Sequence, residues 1–278
     1  MTSPVLPTGR LRLRFSRGPD GLAALGIYRP LTRRGRILRT AVTTLAALPV
    51  GRTGPDPLVA KLGDLLGMRV DGACVMASSM AGRRIVGLAG GGRLVAVAKV
   101  GRHDDMALRH ENEVLAQLRS VSGIRVPRLL LSATAHDMVI CVTEPVPGPP
   151  RQDWEAALQG AVGLARIGWT HGDFTPWNLV GRPATLLDWE AARPGLLPLF
   201  DLAHFVVRHE AQLGNGDPRA IVHRLCRADS LGAAYLAAAG LPLRQAPGLL
   251  RGYLDLAAPA LTRPADAALY RAVRGLLR

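Results

Sequence analysis

Apolar and polar positions change their spacing twice along this chain, and each change predicts a different kind of structure. From Arg69 the apolar residues fall into short β-rich runs, Arg69–Met76, Arg83–Ala89 and Arg93–Val100, separated by ASSMAG at 77–82 and by three glycines at 90–92. That pattern predicts three strands joined by tight turns. Leu108, Leu115 and Leu118 then recur at helical intervals between Asp105 and Arg119, which predicts one helix. Beyond Pro127 two more apolar runs, Arg128–Ser132 and Met138–Thr143, return to strand character. Five strands with a helix after the third make a compact α+β lobe.

The Pro/Gly-rich break EPVPGPP, Glu144 to Pro150, is the best boundary in the chain. A helix is predicted over Trp154 to Arg166. After Asp188 the remainder reads as helical, over Leu199–Gln212, Pro218–Arg227, Leu231–Ala239, Ala246–Leu256 and Ala265–Leu277. Residues 1–60 are punctuated by Arg, Pro and Gly, with short helices predicted around Ile37 to Ala47 and at Pro57 to Leu66. The expected organisation is therefore a basic N-terminal segment (1–66), an N-lobe (67–146) and a mainly helical C-lobe (147–278). There is no internal repeat.

Composition sharpens this picture in three places. With 278 residues and 48% apolar content the chain can bury a substantial core. Cys74, Cys141 and Cys226 are odd in number and widely spaced, so neither a disulfide framework nor a metal-ligand spacing is present. A cytoplasmic protein, peripheral at the membrane if it meets one, is the expectation. No apolar h-region follows the first charges, and the run from Thr40 to Val50 is too short to span a bilayer.

The net charge of +14 and pI near 11.2 invite a nucleic-acid or membrane reading. Yet nearly all the basic residues are Arg, in a chain also rich in Ala, Gly, Leu and Pro. A solvated Arg surface is the better reading, and no specific nucleic-acid partner is expected. The clusters at Arg10–Arg17 and Arg29–Arg39 leave three readings open: contact with an anionic membrane surface through residues 1–60, docking on the body of the protein, or a poorly ordered lead-in. Against so much Arg, the two lysines, Lys61 and Lys99, stand out.

The densest chemistry lies in THGDFTPWNLV, Thr170 to Val180, followed ten residues after Asn178 by LLDWE, Leu186 to Glu190. The stretch reads as loop, strand, turn, strand and holds His171, Asp173, Asn178 and Asp188. Phosphoryl transfer needs a carboxylate to orient a hydroxyl and oxygen ligands for Mg2+, and these side chains supply both. Asp173 is the better base, needing only to orient and accept a proton. His171 is open to three roles, base, metal ligand or holder of the loop backbone, with the last favoured. Asp188 and Glu190 at i and i+2 project to one side of an extended segment. By itself D-x-E marks a surface strand end, but at this distance from HGDxxxxN it reads as a metal-binding set with Asn178. Asp201 in LFDLAHF is an N-cap or loop anchor, and Trp177 and Trp189 are packing residues.

Lys99 ends the buried run VAVAKV, so its ammonium is either a snorkelling edge group or a fixed charge for phosphates. Glu111 lies twelve residues on, in the following helix; Glu113 competes, about 200° around that helix. In ASSMAG, the small residues Ser78, Ser79 and Gly82 let backbone N–H groups approach phosphate oxygens. GLAGGG precedes a strand, not a helix, so it is a hairpin turn and not a dinucleotide fingerprint.

Taken together, AVAKV with Lys99, HENEVLAQL with Glu111, TEPVPG at 143–148, HGDFTPWN and LLDWE resemble the aminoglycoside phosphotransferase and choline kinase family of protein-kinase-like enzymes. The matching pieces run over about Arg69 to His204. The resemblance implies a bilobal protein-kinase-like fold, with a five-stranded antiparallel sheet and one helix in the N-lobe, binding ATP between the lobes. It places the adenine near Glu144 and Val146, the phosphates near Lys99, and Mg2+ on Asn178 and Asp188. Asp173 becomes the base that phosphorylates a hydroxyl of a small-molecule acceptor. Two departures stand out: only 22 residues, Pro149 to Thr170, separate Gly148 from His171, and some 60 precede the first lobe strand. The shortened acceptor region also fits an alternative, a kinase-like nucleotide-binding module without transfer that acts through a partner.

Overall fold

The structure is a computed structural model and describes residues 6–8, 11–31, 33–47, 56–78, 82–135 and 137–277. The chain divides into two compact units. Residues 1–119 and 127–146 form the first, and residues 120–126 and 147–278 the second. The architecture is α+β: an antiparallel sheet dominates the first unit and helices the second.

In chain order the first unit contains β1 (Leu6–Thr8), β2 (Leu11–Phe15), α1 (Gly18–Ala24), α2 (Arg33–Ala47), α3 (Pro57–Leu66), β3 (Gly72–Ser78), β4 (Arg84–Gly90), β5 (Arg93–Arg102), α4 (Met106–Leu118), β6 (Leu129–Ala135) and β7 (Met138–Thr143). The strands form one sheet in the order β1-β2-β3-β4-β5-β7-β6, every neighbour antiparallel. This corrects the expected five strands to seven among the described residues. The two extra strands come from the N-terminal segment, whose described residues lie in the first unit. LRLRF, residues 11–15, alternates apolar and Arg positions, and that period of two seats it beside β3, with Leu13 opposite Met76 and Phe15 opposite Cys74.

The same alternation splits the apolar side chains of β3 between two cores. Ala73 and Val75 join Val86, Leu88, Ala96, Ala98, Val100, Ile140 and Val142 with Leu58, Val59 and Leu62 of α3. Cys74, on the other face, joins Leu13, Phe15, Ala24, Leu25, Val42 and Ala46. Gly91 and Gly92, at φ +60° and +73°, turn β4 into β5 as the hairpin expected. Asp20 closes that turn by accepting the Gly92 N–H at 2.7 Å.

The second unit holds α5 (Trp154–Arg166), four two-residue strands β8 (Trp169–Thr170), β9 (Leu179–Val180), β10 (Thr185–Leu186) and β11 (Arg193–Pro194), and then α6 (Phe200–Gln212), α7 (Pro218–Cys226), α8 (Leu231–Ala238), α9 (Ala246–Ala257) and α10 (Pro264–Leu276). Leu164, Phe174, Trp189, Phe205, Leu225, Leu236, Leu250 and Val273 are fully buried in it. Residues 120–126, an excursion the sequence does not announce, belong here: the Arg125 carbonyl accepts the Leu186 N–H at 2.9 Å. The three cysteines are free, and burial pushes the Cys74 and Cys141 thiols up to about 12. Among the described residues no helix is long and apolar enough to cross a membrane.

Candidate active site

In the first unit, Lys99 sits on β5 between Ile85 of β4 and Cys141 of β7. Its neighbours Ala98 and Val100 point into the core, so Lys99 projects from the opposite face. Its ammonium lies 2.6 and 2.7 Å from the two carboxylate oxygens of Glu111. Asn112, next in α4, donates to the Ile140 carbonyl at 3.1 Å and pins the helix to β7. The rotation of α4 settles the competition between acids, because Glu111 is buried and Glu113 is exposed. Asp105 starts the helix by accepting the Leu108 N–H at 3.0 Å. The hydrogen bonds from Arg83 hold the Asp105 carboxyl below its ordinary range.

The other residues expected near a nucleotide are placed less tellingly. Ser78 ends β3 opposite Leu11, Ser79 lies outside the described residues, and Gly82 is exposed at φ +62°. Glu144 donates its N–H to Arg128 and receives the Arg128 guanidinium on its carboxylate at 3.0 Å. The Val146 carbonyl accepts from Arg29 at 2.5 Å, a contact between the N-terminal segment and the body of the first unit.

In the second unit, residues 171–178 are fastened at both ends. Asp201, in the first turn of α6, accepts the backbone N–H groups of His171 and Gly172 at 2.9 and 3.1 Å. It is thus a loop anchor; the cap position is Leu199. Burial pushes its carboxyl up to about 7, against the pull of the two N–H donors. Gly172 is at φ +81°, and a Cβ there would meet the Ala191 carbonyl at 2.4 Å, so only glycine fits.

His171 is wholly buried, packed against Trp189 with ring centres 4.7 Å apart. Its Nε2 lies 2.9 Å from the Leu187 carbonyl, so Nε2 carries the proton and donates. Burial lowers its pKa to about 4. A neutral ring spending its N–H on the backbone is no base for a substrate, and of the three roles the sequence left open, this geometry is that of a loop holder.

Asp173 is the half-exposed group. Asn178 spends its amide hydrogens on Asp173, one on the main-chain carbonyl at 2.9 Å and one on Oδ2 at 3.0 Å. That leaves Asn178 Oδ1 as the side-chain oxygen that could take a metal ion. Asp188 follows on a clamped backbone. Leu187 donates to the Asn178 carbonyl at 2.8 Å, while buried Trp189 donates its indole N–H to Leu186. Between these anchors Asp188 adopts φ +68°, a left-handed conformation that Asp tolerates. This corrects the extended backbone expected of D-x-E, since β10 ends at Leu186 and Glu190 lies in a turn; the Asp188 and Glu190 carboxylates nevertheless converge, with an oxygen of each within 4.8 Å of the other. Asn178 and Asp188 remain hard oxygen donors of the kind Mg2+ takes.

Sequence reasoning missed His204, whose Nε2 stands 3.2 Å from Asp173 Oδ1. A signal existed in LFDLAHF. Asp201 and His204 are i and i+3 on α6 and so share a face, the face turned toward the loop.

No family model matches the chain, and no curated protein does. Solved structures are similar at low identity. A thermostable mutant of the aminoglycoside phosphotransferase APH(4)-Ia, apo form, is 18% identical over 78% of this chain and 99% of its own, with a TM-score of 0.43. The aminoglycoside phosphotransferase APH(3'')-Id from Streptomyces rimosus, in complex with ADP and streptomycin, is 14% identical over the same shares, with a TM-score of 0.46. WbdD, co-crystallised with the kinase inhibitor LY294002, is 21% identical over 58% of this chain and 44% of its own, with a TM-score of 0.42. The chain spans about half the length of the WbdD chains it matches.

Proposed function

We propose that this protein is an ATP- and Mg2+-dependent phosphotransferase acting on a hydroxyl of a small molecule, such as a sugar, an aminoglycoside-like compound or an amino alcohol. The observation that carries this reading is Asp173, with Oδ2 held by Asn178 and Oδ1 by His204 on a loop whose backbone Asp201 pins. A carboxylate fixed in this way, half-open to solvent, can orient a hydroxyl and accept its proton. Lys99, steadied by Glu111, supplies a fixed positive charge for donor phosphates. Asn178 and Asp188 would hold Mg2+, which when bound neutralises phosphate charge.

The short stretch between Gly148 and His171 contains one helix, α5, and the two-residue strand β8, which suits a compact acceptor or one completed by a partner. Arg33, Arg36 and Arg39 of α2 are exposed beside Ile37, and this supports a weak contact with an anionic membrane surface.

The test is a transfer screen with Mg2+ and ATP or GTP against hydroxyl-bearing metabolites, read by mass spectrometry. A phosphorylated product formed by the wild type and lost in Asp173→Asn supports the reading. Nucleotide binding with no product over the whole panel would instead favour a binding module, and full turnover by Asp173→Asn would remove the base assignment.

A further inference from the structure

Behind His204, which holds Asp173, runs a hydrogen-bonded pair of tyrosines to which the proposed function gives no role. Tyr270 of α10 and Tyr253 of α9 bring their hydroxyls to 2.6 Å. The Tyr253 hydroxyl lies 3.2 Å from Nδ1 of His204 on α6, and His204 Nε2 lies 3.2 Å from Asp173 Oδ1. Four side chains from three helices and one loop thus end on the candidate base. Tyr253 is fully buried and Tyr270 nearly so, and hydroxyls at such depth are held by hydrogen bonds.

Counting protons sets the direction of this chain. An ionised Asp173 can only accept, so His204 must turn a protonated Nε2 toward it. The neutral ring then has a bare Nδ1, which takes the Tyr253 proton. The Tyr253 oxygen in turn accepts from Tyr270, since each hydroxyl has one proton to give. The reverse order would set a bare Nε2 lone pair against a carboxylate. An imidazolium would force Tyr253 to turn its proton toward Tyr270 and Tyr270 to find a new acceptor. It would also place a second cation near Arg208, which lies close to both tyrosines and is held at 3.1 Å by Asp266. Phe200, stacked on the His204 ring at 6.1 Å, offers no proton.

We propose that Tyr270 and Tyr253 lock His204 as the neutral Nε2–H tautomer, and that His204 so locked sets the rotamer of Asp173. The proposal rests on the reading of Asp173 as the proton acceptor. It makes His204, Tyr253 and Tyr270 positioning residues: with Asn178 alone on Oδ2 the carboxylate could still turn about Cβ–Cγ, and a second donor on Oδ1 stops it. The selection of one imidazole nitrogen by a hydrogen bond to the other is a general device of histidine sites.

Two measurements on the full chain test it. In long-range 1H–15N spectra at neutral pH, the His204 signals, assigned by their loss in His204→Gln, are expected to show a protonated Nε2 and a bare Nδ1. Tyr253→Phe is expected to release the lock and mix the tautomers; Tyr270→Phe, one step further out, is the substitute if that variant does not fold. A dominant Nδ1–H form or imidazolium in the wild type, or an unchanged tautomer in both tyrosine variants, overturns the lock. In transfer assays His204→Ala is expected to lose about tenfold to a hundredfold in kcat with the nucleotide KM unmoved. His204→Gln, whose amide N–H can stand in for Nε2–H, should recover most of that loss. Equal losses in the two variants would reduce His204 to packing. The spectra need no turnover, so failure of every acceptor would refute the proposed function while the tautomer still decides the lock.

Discussion

The ammonium of Lys99 sits astride both carboxylate oxygens of Glu111, at 2.6 and 2.7 Å, with the acid nearly sealed from solvent and the lysine about one-fifth exposed. The pair is asymmetric: Lys99 keeps a wet side from which it can meet a phosphate, while Glu111 depends on the protein for compensation.

That asymmetry predicts unequal mutational costs. Lys99→Met deprives a buried carboxylate of its cation and should destabilise the protein by about 3 kcal/mol. Adding Glu111→Gln to that variant should restore part of the loss. Urea unfolding of the two single variants and the double variant measures the coupling, and simple additivity would contradict it.

Asp173→Asn keeps the shape of the site and most of its hydrogen bonding but cannot take a proton. Phosphotransfer should fall by about 100-fold or more. Nucleotide affinity measured by calorimetry should change less than twofold to threefold, because Asp173 is assigned to the acceptor hydroxyl and not to the nucleotide.

His171 makes stability depend on pH in a defined window. Its folded pKa, about 4, lies below the ordinary value of 6.5, so the unfolded chain binds the proton more readily. The stabilising contribution is full above about 6.5 and is lost as pH falls from there toward 4, by about 3 kcal/mol in all. His171→Gln, which can still donate to Leu187, should flatten the part of the stability–pH curve due to this group. An unchanged slope between pH 6.5 and 4 would show that His171 is not the group responsible.

The N-terminal strands predict that this segment is structural. Leu13 and Phe15 are buried on the sheet face shared with α1 and α2, and Phe15→Ala should cost about 3 kcal/mol or more. Removing residues 1–60 should lower the melting temperature sharply or prevent soluble expression. A truncated protein that melts like the full chain would return the segment to the status of an appendage.

Much of the site was legible because it is local. In HGDFTPWN the distance from Asp173 to Asn178 is set by one loop, so spacing alone places the two side chains together. Lys99 and Glu111 are joined by one short connection from strand to helix, which brought two acids, Glu111 and Glu113, into question and left the choice to the rotation of α4. β2 was not legible, because its arginines read as a basic surface segment or a lead-in; pairing with β3 buries Leu13 and Phe15 and leaves Arg14 between them exposed.

What the chain determined alone was therefore most of the longer strands and helices, the H-x-D-x4-N spacing in one loop, and a strand-to-helix spacing that offers Lys99 two acids. Each depends on side-chain period or on a few intervening residues. Only the tertiary structure decided the rest. His204 is 31 residues from Asp173 and Tyr253 a further 49 from His204, so their meeting depends on how α6, α9 and α10 pack. Asp188 took a left-handed backbone that no local rule requires, because Leu187 and Trp189 on either side were already tied to the protein. Local spacing chose the candidate reacting groups, and packing chose the hydrogen-bond partners that hold them.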